Sequence, residues 1–374
     1  MHRSLRDAIG SEITAMARSS TGGTPGFDPG GCRFKSCRAS KGQNKESLME
    51  LITKKRLHLI SGRTNLALAQ EIADHLGVSL DQPNLAEFAN GEIHCRFSES
   101  VRGGDVFIIQ SHSASEGMTI NDSIMEQLIM VDAARRASAK RITVVCPFYG
   151  YARQDRKSEG REPITARLLA TLFLAAGVSR MISVDLHSGQ IQGFFEKPVD
   201  HLTAMPVLVE YMRGLGDDLV IVSPDTGRVK VAERYASELA ADLAIVHKRR
   251  VKNKKNVIES KDVMGDVDGR VCVLIDDMID TGGTIVGAAE LLAEKGAIEV
   301  YACTTHGVFS DPAIERIEGS VIKQIAMTNT LPLPENKRTE KITVLSVAGI
   351  IASALDAVFE DTSVSEIFGG KHLS

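Results

Sequence analysis

One stretch of the sequence combines paired acids with glycines and threonines. Residues 271–275 are apolar, Asp276 and Asp277 follow them, and Asp-Thr-Gly-Gly-Thr occupies positions 280–284. Glycines let the backbone approach an anion, while threonine hydroxyls and the free amides of a helix start donate hydrogen bonds to it. The two carboxylates suit the hydroxyl groups of a ribose. The stretch therefore predicts a ribose and phosphate site formed by Asp276, Asp277, Asp280, Thr281, Gly282, Gly283 and Thr284.

A plain turn with a helix cap is the alternative for the paired aspartates. The Thr-Gly-Gly-Thr sequence that follows them favours the phosphate site. The GxxxxGK[ST] loop of nucleotide hydrolases and the GxGxxG fingerprint of dinucleotide-binding folds are absent from the sequence. Both of those folds are therefore disfavoured.

Three other groups with possible chemistry also follow apolar runs. His187 comes after residues 181–184, and a histidine there can bind a metal or a nucleotide, although a structural histidine is the commoner case. Residues 149–157 mix tyrosine, arginine, glutamine and lysine, which can hold an adenine and its phosphates or form a solvated basic loop. At 248–255 six of eight residues are Lys or Arg. Such a run usually marks a solvated or nucleic-acid-binding surface, but its place beyond a strand predicts a flexible cationic lid over phosphates.

The elements that must position these groups alternate along the chain. Short apolar runs are followed by stretches of helical spacing, which is typical of β-α-β units around a parallel sheet. Ligands of such sheets bind beyond the carboxyl ends of the strands, which is where all four groups lie. We therefore predict an α/β fold with one domain at 56–205 and a second at 206–374. The predicted strands are 57–60, 106–110, 142–146, 181–184, 219–222, 243–246, 271–275 and 299–303, and the predicted helices are 65–76, one after Asn121, 164–176 and one from Ile285 to near Gly296.

Residues 1–48 differ from the rest of the chain. They carry eight Lys or Arg against four Asp or Glu, and glycine clusters interrupt any regular period. We expect this extension to be disordered. An apolar core typical of a secretory signal is missing from it, while an organellar transit peptide is possible. Our hypothesis is that 1–48 is upstream sequence read from a misassigned start, which mass spectrometry of the natural N-terminus would decide.

Composition restricts the class of protein. The net charge of −4 gives no bulk attraction to nucleic acid or to anionic lipid, so neither is an expected partner. The apolar runs all fall short of the roughly 20 residues that a membrane span needs. The six cysteines are scattered without a CxxC pair, which argues against a disulfide framework and a structural zinc site. We expect a cytoplasmic location.

Taken together, these motifs closely resemble class I ribose-phosphate diphosphokinases, also called phosphoribosyl diphosphate synthetases. The resemblance runs from about residue 56 to 370 and is carried by residues 88–92, 102–105, 149–157, 185–195, 248–250 and 276–284. It implies two similar type I phosphoribosyltransferase-like domains, each with a mostly parallel sheet flanked by helices. It also implies transfer of the diphosphoryl group of ATP to the 1-hydroxyl of ribose 5-phosphate, with Mg²⁺, giving AMP and phosphoribosyl diphosphate for nucleotide and amino-acid biosynthesis. The implied assembly is a homohexamer of dimers.

The resemblance also implies roles for individual residues. A neighbouring subunit would contact the adenine through Phe88, Asn90, Gly91 and Glu92, while Arg153 and Gln154 would hold ATP from within the subunit. His187 and Asp225 would serve the magnesium sites. Lys248 would be the principal catalytic cation, with Arg250 as its partner in catalysis and in ribose 5-phosphate binding. The remaining ribose 5-phosphate contacts would come from Asp276, Asp277 and residues 280–284.

Three departures from the family pattern concern loops. Gly227 is followed by Arg228 where the family often has a second glycine, His247 stands where an aspartate is common, and 251–260 lack the usual proline. They bear on loop closure and on regulation by ADP and phosphate. The alternatives are a catalytically silent partner of an active synthetase, a nucleobase phosphoribosyltransferase that uses the same phosphate cradle, and a DNA-binding regulator. The last would need a helix-turn-helix or similar module, which the sequence does not indicate.

Overall fold

The structure is a computed structural model that describes residues 56–115, 117–250 and 259–368. Side chains are described throughout these ranges except at 248–250, 259–261 and 368. The expected disordered extension at 1–48 lies outside the described residues. Among the described residues, each helix is too short or too polar to span a bilayer.

The first half of the chain builds a six-stranded parallel sheet in the order β2-β1-β5-β6-β7-β8. Its strands are β1 Leu57–Ser61, β2 Leu80–Asp81, β5 Asp105–Ile109, β6 Arg141–Cys146, β7 Arg180–Val184 and β8 Val199–Leu202. Its helices are α1 Leu66–Leu76, α2 Ile120–Arg136 and α3 Thr165–Ala176. A separate antiparallel hairpin consists of β3 Asn84–Glu87 and β4 Ile93–Arg96.

The second half builds a seven-stranded sheet in the order β11-β10-β9-β12-β13-β14-β15, parallel except for the β10–β11 pair. Its strands are β9 Leu219–Ser223, β10 Asp242–Arg250, β11 Glu259–Met264, β12 Val271–Ile279, β13 Glu299–Gly307, β14 Ile322–Thr328 and β15 Ile342–Leu345. Its helices are α4 Met205–Arg213, α5 Val229–Leu239, α6 Gly283–Glu294, α7 Ala313–Glu318 and α8 Ala348–Phe359.

Local sequence sets several helix ends. The Asn65 side chain accepts a hydrogen bond from the Leu68 amide at the start of α1, and Gly77 ends that helix in the left-handed conformation. At α2, Thr119 and Asp122 form a reciprocal capping box. These caps agree with the helix positions that the sequence predicts.

Three strands, β10, β12 and β13, each run four residues further than the sequence predicts. β12 continues through Asp276 and Asp277 to Ile279, because its pairing with β13 persists to Gly307. β10 continues to Arg250 because it pairs with β11, so residues 248–250 are strand and not the start of a loop. All three extensions depend on a partner strand that lies elsewhere in the sequence.

The two sheets share one hydrophobic core. Leu59 of β1, Ile221 of β9 and Leu355 of α8 belong to the same cluster of buried side chains. Helix α8 packs on α1 and also contacts β8. The first sheet lies within 56–205 and the second within 206–374, and the division of the chain into two domains at that boundary stays a prediction.

Candidate active site

The carboxyl end of β12 opens into a cavity of about 190 Å³. It is lined by residues 276–285 and by Arg153, His187, Asp225 and Arg228, and we call it the cradle cavity. Parallel strands bring these residues together because their carboxyl ends lie along one edge of each sheet. The predicted ribose and phosphate residues therefore share this cavity with both predicted magnesium residues.

Asp276 and Asp277 stand side by side in a largely buried place. Their side chains are 19% and 7% exposed, so two negative charges there require compensation. Burial and the neighbouring Asp277 raise the pKa of Asp276. Burial opposes ionisation of Asp277 as well, but hydrogen bonding from His187 and the charge of Arg228 lower its pKa below the usual range.

His187 is anchored on this pair. Its Nδ1 atom lies 2.7 Å from Asp277 Oδ2 and 2.8 Å from Arg228 Nη2. Because one ring nitrogen cannot donate to a carboxylate and accept from a guanidinium at once, these two hydrogen bonds are alternatives. When Nδ1 carries the proton and donates to Asp277, Nε2 keeps its lone pair as a ligand.

Asp225 shapes the turn that follows β9. Its Oδ1 atom accepts hydrogen bonds from the amides of Gly227 at 2.7 Å and Arg228 at 3.2 Å. The Ser223 hydroxyl donates to the Asp225 carbonyl oxygen at 2.7 Å. The carboxylate that the sequence assigns to metal thus also fixes the backbone before α5.

The glycines of the cradle begin α6. Gly282 caps this helix with a φ of +75°, a conformation that favours glycine, and the helix itself begins at Gly283. Arg316 of α7 donates to the Thr281 carbonyl oxygen at 2.9 Å, which holds the turn from outside. The amides of the first helical turn are therefore placed at the cavity, as an anion site needs.

A second cavity of about 410 Å³ adjoins the first, and we call it the loop cavity. Phe148, Tyr151 and Gln154 line it, and it shares Arg153, Met278 and Asp280 with the cradle cavity. Arg153 Nη1 donates to Asp280 Oδ2 at 2.8 Å. The loop cavity offers aromatic and apolar surface, which suits a nucleotide. The cradle cavity offers acids and backbone amides, which suit a phosphorylated sugar.

The predicted adenine contacts at 88–92 are not among the lining residues of either cavity. They form the tip of the β3–β4 hairpin, where Gly91 has a φ of +86° and the Glu92 amide donates to Asn90 Oδ1 at 3.2 Å. Phe88 is 57% exposed. Within this subunit, these residues therefore share neither cavity with Arg153 and Gln154.

Lys248 and Arg250 are described through their backbone only. They lie at the end of β10, opposite Lys261 and Glu259 of β11. The side chains, and the rest of the predicted cationic lid at 251–255, lie outside the described residues.

Comparison with known proteins identifies the family. Profiles described as the N-terminal domain of ribose phosphate pyrophosphokinase and as a phosphoribosyl synthetase-associated domain match residues 57–177 and 253–369. The ribose-phosphate pyrophosphokinase of Streptomyces avermitilis is 54% identical over 316 residues, which span 84% of this chain and 96% of that protein. The chain belongs to the ribose-phosphate pyrophosphokinase family.

Two further relatives match this chain to a similar extent. The Mycobacterium tuberculosis H37Rv protein is 51% identical over 320 residues, 85% of this chain and 97% of that protein. The crystal structure of phosphoribosylpyrophosphate synthetase from Mycobacterium smegmatis aligns with a TM-score of 0.77 at 51% identity, and covers 82% of this chain and 100% of that one. The predicted family, the α/β fold class and the class of enzyme are confirmed.

The donor set of the site fits the magnesium ion on which this family generally depends. The described residues contain no group of three or more His, Cys, Asp or Glu side chains placed to hold a metal ion. His187 and Asp225 nevertheless line one cavity, and each has an atom, Nε2 or Oδ2, beyond those used above. Mg²⁺ is commonly bound by one or two carboxylates together with water and phosphate oxygens of a nucleotide. The residues present therefore suit an ion shared with ATP.

Sequence reasoning missed the residues that hold the Asp185–His187 turn. His306 Nε2 lies 3.1 Å from the carbonyl oxygens of Val184 and Asp185, and its Nδ1 lies 2.9 Å from Thr330 Oγ1. Burial lowers the pKa of His306. Both partners of Nε2 are carbonyl oxygens, which can only accept, so Nε2 is the donor to them. Asp185 itself has a φ of +37°, and the Thr305 hydroxyl donates to its carboxylate at 2.7 Å. The available signal was position, because Thr305 and His306 lie at the carboxyl end of β13.

Proposed function

We propose that the chain transfers the diphosphoryl group of ATP to the 1-hydroxyl of ribose 5-phosphate, giving 5-phosphoribosyl 1-diphosphate and AMP. The observation that carries the proposal is the joined pair of cavities. A sugar phosphate in the cradle cavity and a nucleotide in the loop cavity would meet at Arg153 and Asp280, which line both. Membership in the family supports the same reaction.

In the cradle cavity, Asp276 and Asp277 accept hydrogen bonds from the ribose hydroxyls. The 5-phosphate is held by residues 280–284, through the Thr281 and Thr284 hydroxyls and the amides at the start of α6. The φ of Gly282 supports this assignment because it lets consecutive amides turn toward one anion.

In the loop cavity, Arg153 and Gln154 hold ATP and Phe148 offers ring surface to the base. A neighbouring subunit supplies Phe88, Asn90, Gly91 and Glu92. The exposure of Phe88, which lines neither cavity of its own subunit, supports a homo-oligomer, for which we propose a hexamer of dimers.

The reaction is a direct displacement. The 1-hydroxyl oxygen bonds to the β-phosphorus as the bond from that phosphorus to the α,β-bridging oxygen breaks, AMP leaves with the bridging oxygen, and the hydroxyl proton passes to solvent. Charge that develops on the moving group is stabilised by Lys248 with Arg250, which also binds ribose 5-phosphate. His187 and Asp225 would hold magnesium, which would supply charge neutralisation and orient the phosphate oxygens.

We also propose a cytoplasmic location, where ATP is available. The cysteines of the described part, Cys95, Cys146, Cys272 and Cys303, are free thiols, as expected in a reducing compartment.

The decisive experiment is a mass-resolved assay of the full chain with ATP, ribose 5-phosphate, magnesium and inorganic phosphate. Equimolar AMP and phosphoribosyl diphosphate are expected. Formation of ADP with a singly phosphorylated product, or no product from folded protein, would contradict the proposal.

A further inference from the structure

Arg228 separates the cradle cavity from a third cavity, of about 150 Å³, that lies behind it. We call this the rear cavity. His187, Arg228, Asp276 and Asp277 line both cavities, so this cluster is the wall between them. The Arg228 side chain is only 16% exposed, which places its charge inside the site and not on the surface.

The guanidinium of Arg228 contacts every other member of the wall. Nη2 bonds to Asp277 Oδ1 and approaches His187 Nδ1 at 2.8 Å, while Nε lies 3.4 Å from Asp276 Oδ1. A planar guanidinium can meet two carboxylates at once, whereas an ammonium is a single point charge. Arg228 therefore holds the two adjacent aspartates in place, against the repulsion between their negative charges.

The backbone before Arg228 gives its side chain a fixed origin. Two amides of the turn, those of Gly227 and Arg228, are bonded to Asp225 Oδ1, and α5 begins at the next residue. Strand β9, which leads into this turn, is hydrogen-bonded to β12, which carries the two aspartates. Arg228 and the two aspartates are thus positioned by neighbouring strands of one sheet.

We propose that Arg228 is a positioning residue for ribose 5-phosphate: it presents the Asp276 and Asp277 carboxylates to the ribose hydroxyls. The proposal rests on the proposed function, because it takes these aspartates as the hydroxyl acceptors. Arg228 acts through them and does not itself contact the reacting phosphorus. Its effect is therefore specific to the sugar and to the hydroxyl groups that the sugar carries.

The test compares Arg228→Gln and Arg228→Lys with the unmodified chain. For Arg228→Gln we expect the KM for ribose 5-phosphate to rise about tenfold, the effect of losing roughly 1.4 kcal/mol. The KM for ATP should change less than about twofold, since Arg228 does not line the loop cavity. Arg228→Lys should recover part of the loss, because it restores the charge without the two-sided geometry.

A second readout distinguishes positioning from general support of the fold. Both substrates, ribose 5-phosphate and 2-deoxyribose 5-phosphate, are compared by their kcat/KM. A site built to bond a hydroxyl discriminates strongly against the analogue that lacks it. If Arg228 positions the acceptors, Arg228→Gln should lower this discrimination at least about fivefold. Loss of stability alone would lower both rates and leave their ratio unchanged.

The matched control is Arg213→Gln, which removes the same charge from an exposed side chain 53% accessible to solvent. It should leave both KM values and the discrimination ratio unchanged. An unaltered ratio in Arg228→Gln, or equal rises in both KM values, would overturn the role of Arg228. Failure of the unmodified chain to form phosphoribosyl diphosphate would instead overturn the proposed function.

Discussion

At the scale of single residues, the paired aspartates show how surroundings divide two like groups. Asp277 contacts His187 and Arg228, which lower its pKa. Burial next to the Asp277 carboxylate raises the pKa of Asp276. The two residues are of the same type, so the difference in pKa comes from their partners: His187, which follows β7, and Arg228, which follows β9. Sequence reasoning assigned both to ribose but could not assign their partners.

Lys248 offers the most direct test of the catalytic assignment. Replacing Lys248 by alanine should lower kcat at least about a hundredfold, because a charge-stabilising donor would be lost. Steady-state rates of AMP formation measure this. Lys140→Ala removes an exposed lysine between α2 and β6 and should keep normal turnover. Near-normal turnover by Lys248→Ala would remove that residue from the catalytic role.

His306 tests the support of the Asp185 turn. In His306→Ala the carbonyl oxygens of Val184 and Asp185 would lose a buried donor. We expect the free energy of unfolding to fall by about 1–3 kcal/mol, measured by urea denaturation. The control His75→Ala, at an exposed position, should change the free energy of unfolding by less than about 0.5 kcal/mol. An unchanged unfolding curve for His306→Ala would show that the turn holds without it.

At the scale of elements, the start of α6 combines a backbone requirement with a binding one. Gly282 has a φ of +75° and Gly77, at the end of α1, has a φ of +65°. A side chain in this region costs about 1–2 kcal/mol at either position. The two glycines therefore allow the strain of a substitution to be separated from its effect on binding.

We expect Gly282→Ala and Gly77→Ala to lower the melting temperature by similar amounts. Only Gly282→Ala should raise the KM for ribose 5-phosphate, because only that turn belongs to the cradle cavity. The measurement is calorimetry together with steady-state kinetics. Equal KM values for the two variants would show that the turn does not bind the 5-phosphate.

At the scale of the whole molecule, the shared core couples the two sheets. Leu355 of α8 is fully buried in the cluster that also contains Leu59 of β1 and Val273 of β12. Helix α8 follows the second sheet in the chain yet packs on α1 of the first half. Removing side-chain volume from this cluster should therefore destabilise both halves of the chain.

Leu355→Ala should lower the free energy of unfolding by about 2–5 kcal/mol through the cavity that it leaves. Unfolding should remain a single transition when followed by circular dichroism and by hydrogen exchange in both sheets. Leu172→Ala, which truncates a side chain 44% exposed on α3, is the matched control and should cost far less. Two separate transitions would show that the sheets unfold independently.

The sequence by itself determined the types of the elements that it predicted, the carboxyl-edge position of the chemistry and the composition of the phosphate cradle. These follow from local rules: apolar periodicity, glycine where a backbone must turn, and the placement of polar residues after strands. The extensions of β10, β12 and β13 escaped such rules because strand length depends on a partner strand.

Only the tertiary structure decided which groups meet. Arg228 was merely a departure from a family pattern until the pairing of β9 with β12 placed it on Asp276 and Asp277. His306 became the support of Asp185 through the approach of β13 to the end of β7. Strand order and the packing of helices on the two sheets are not encoded in any local period, since many orders bury the same apolar residues equally well.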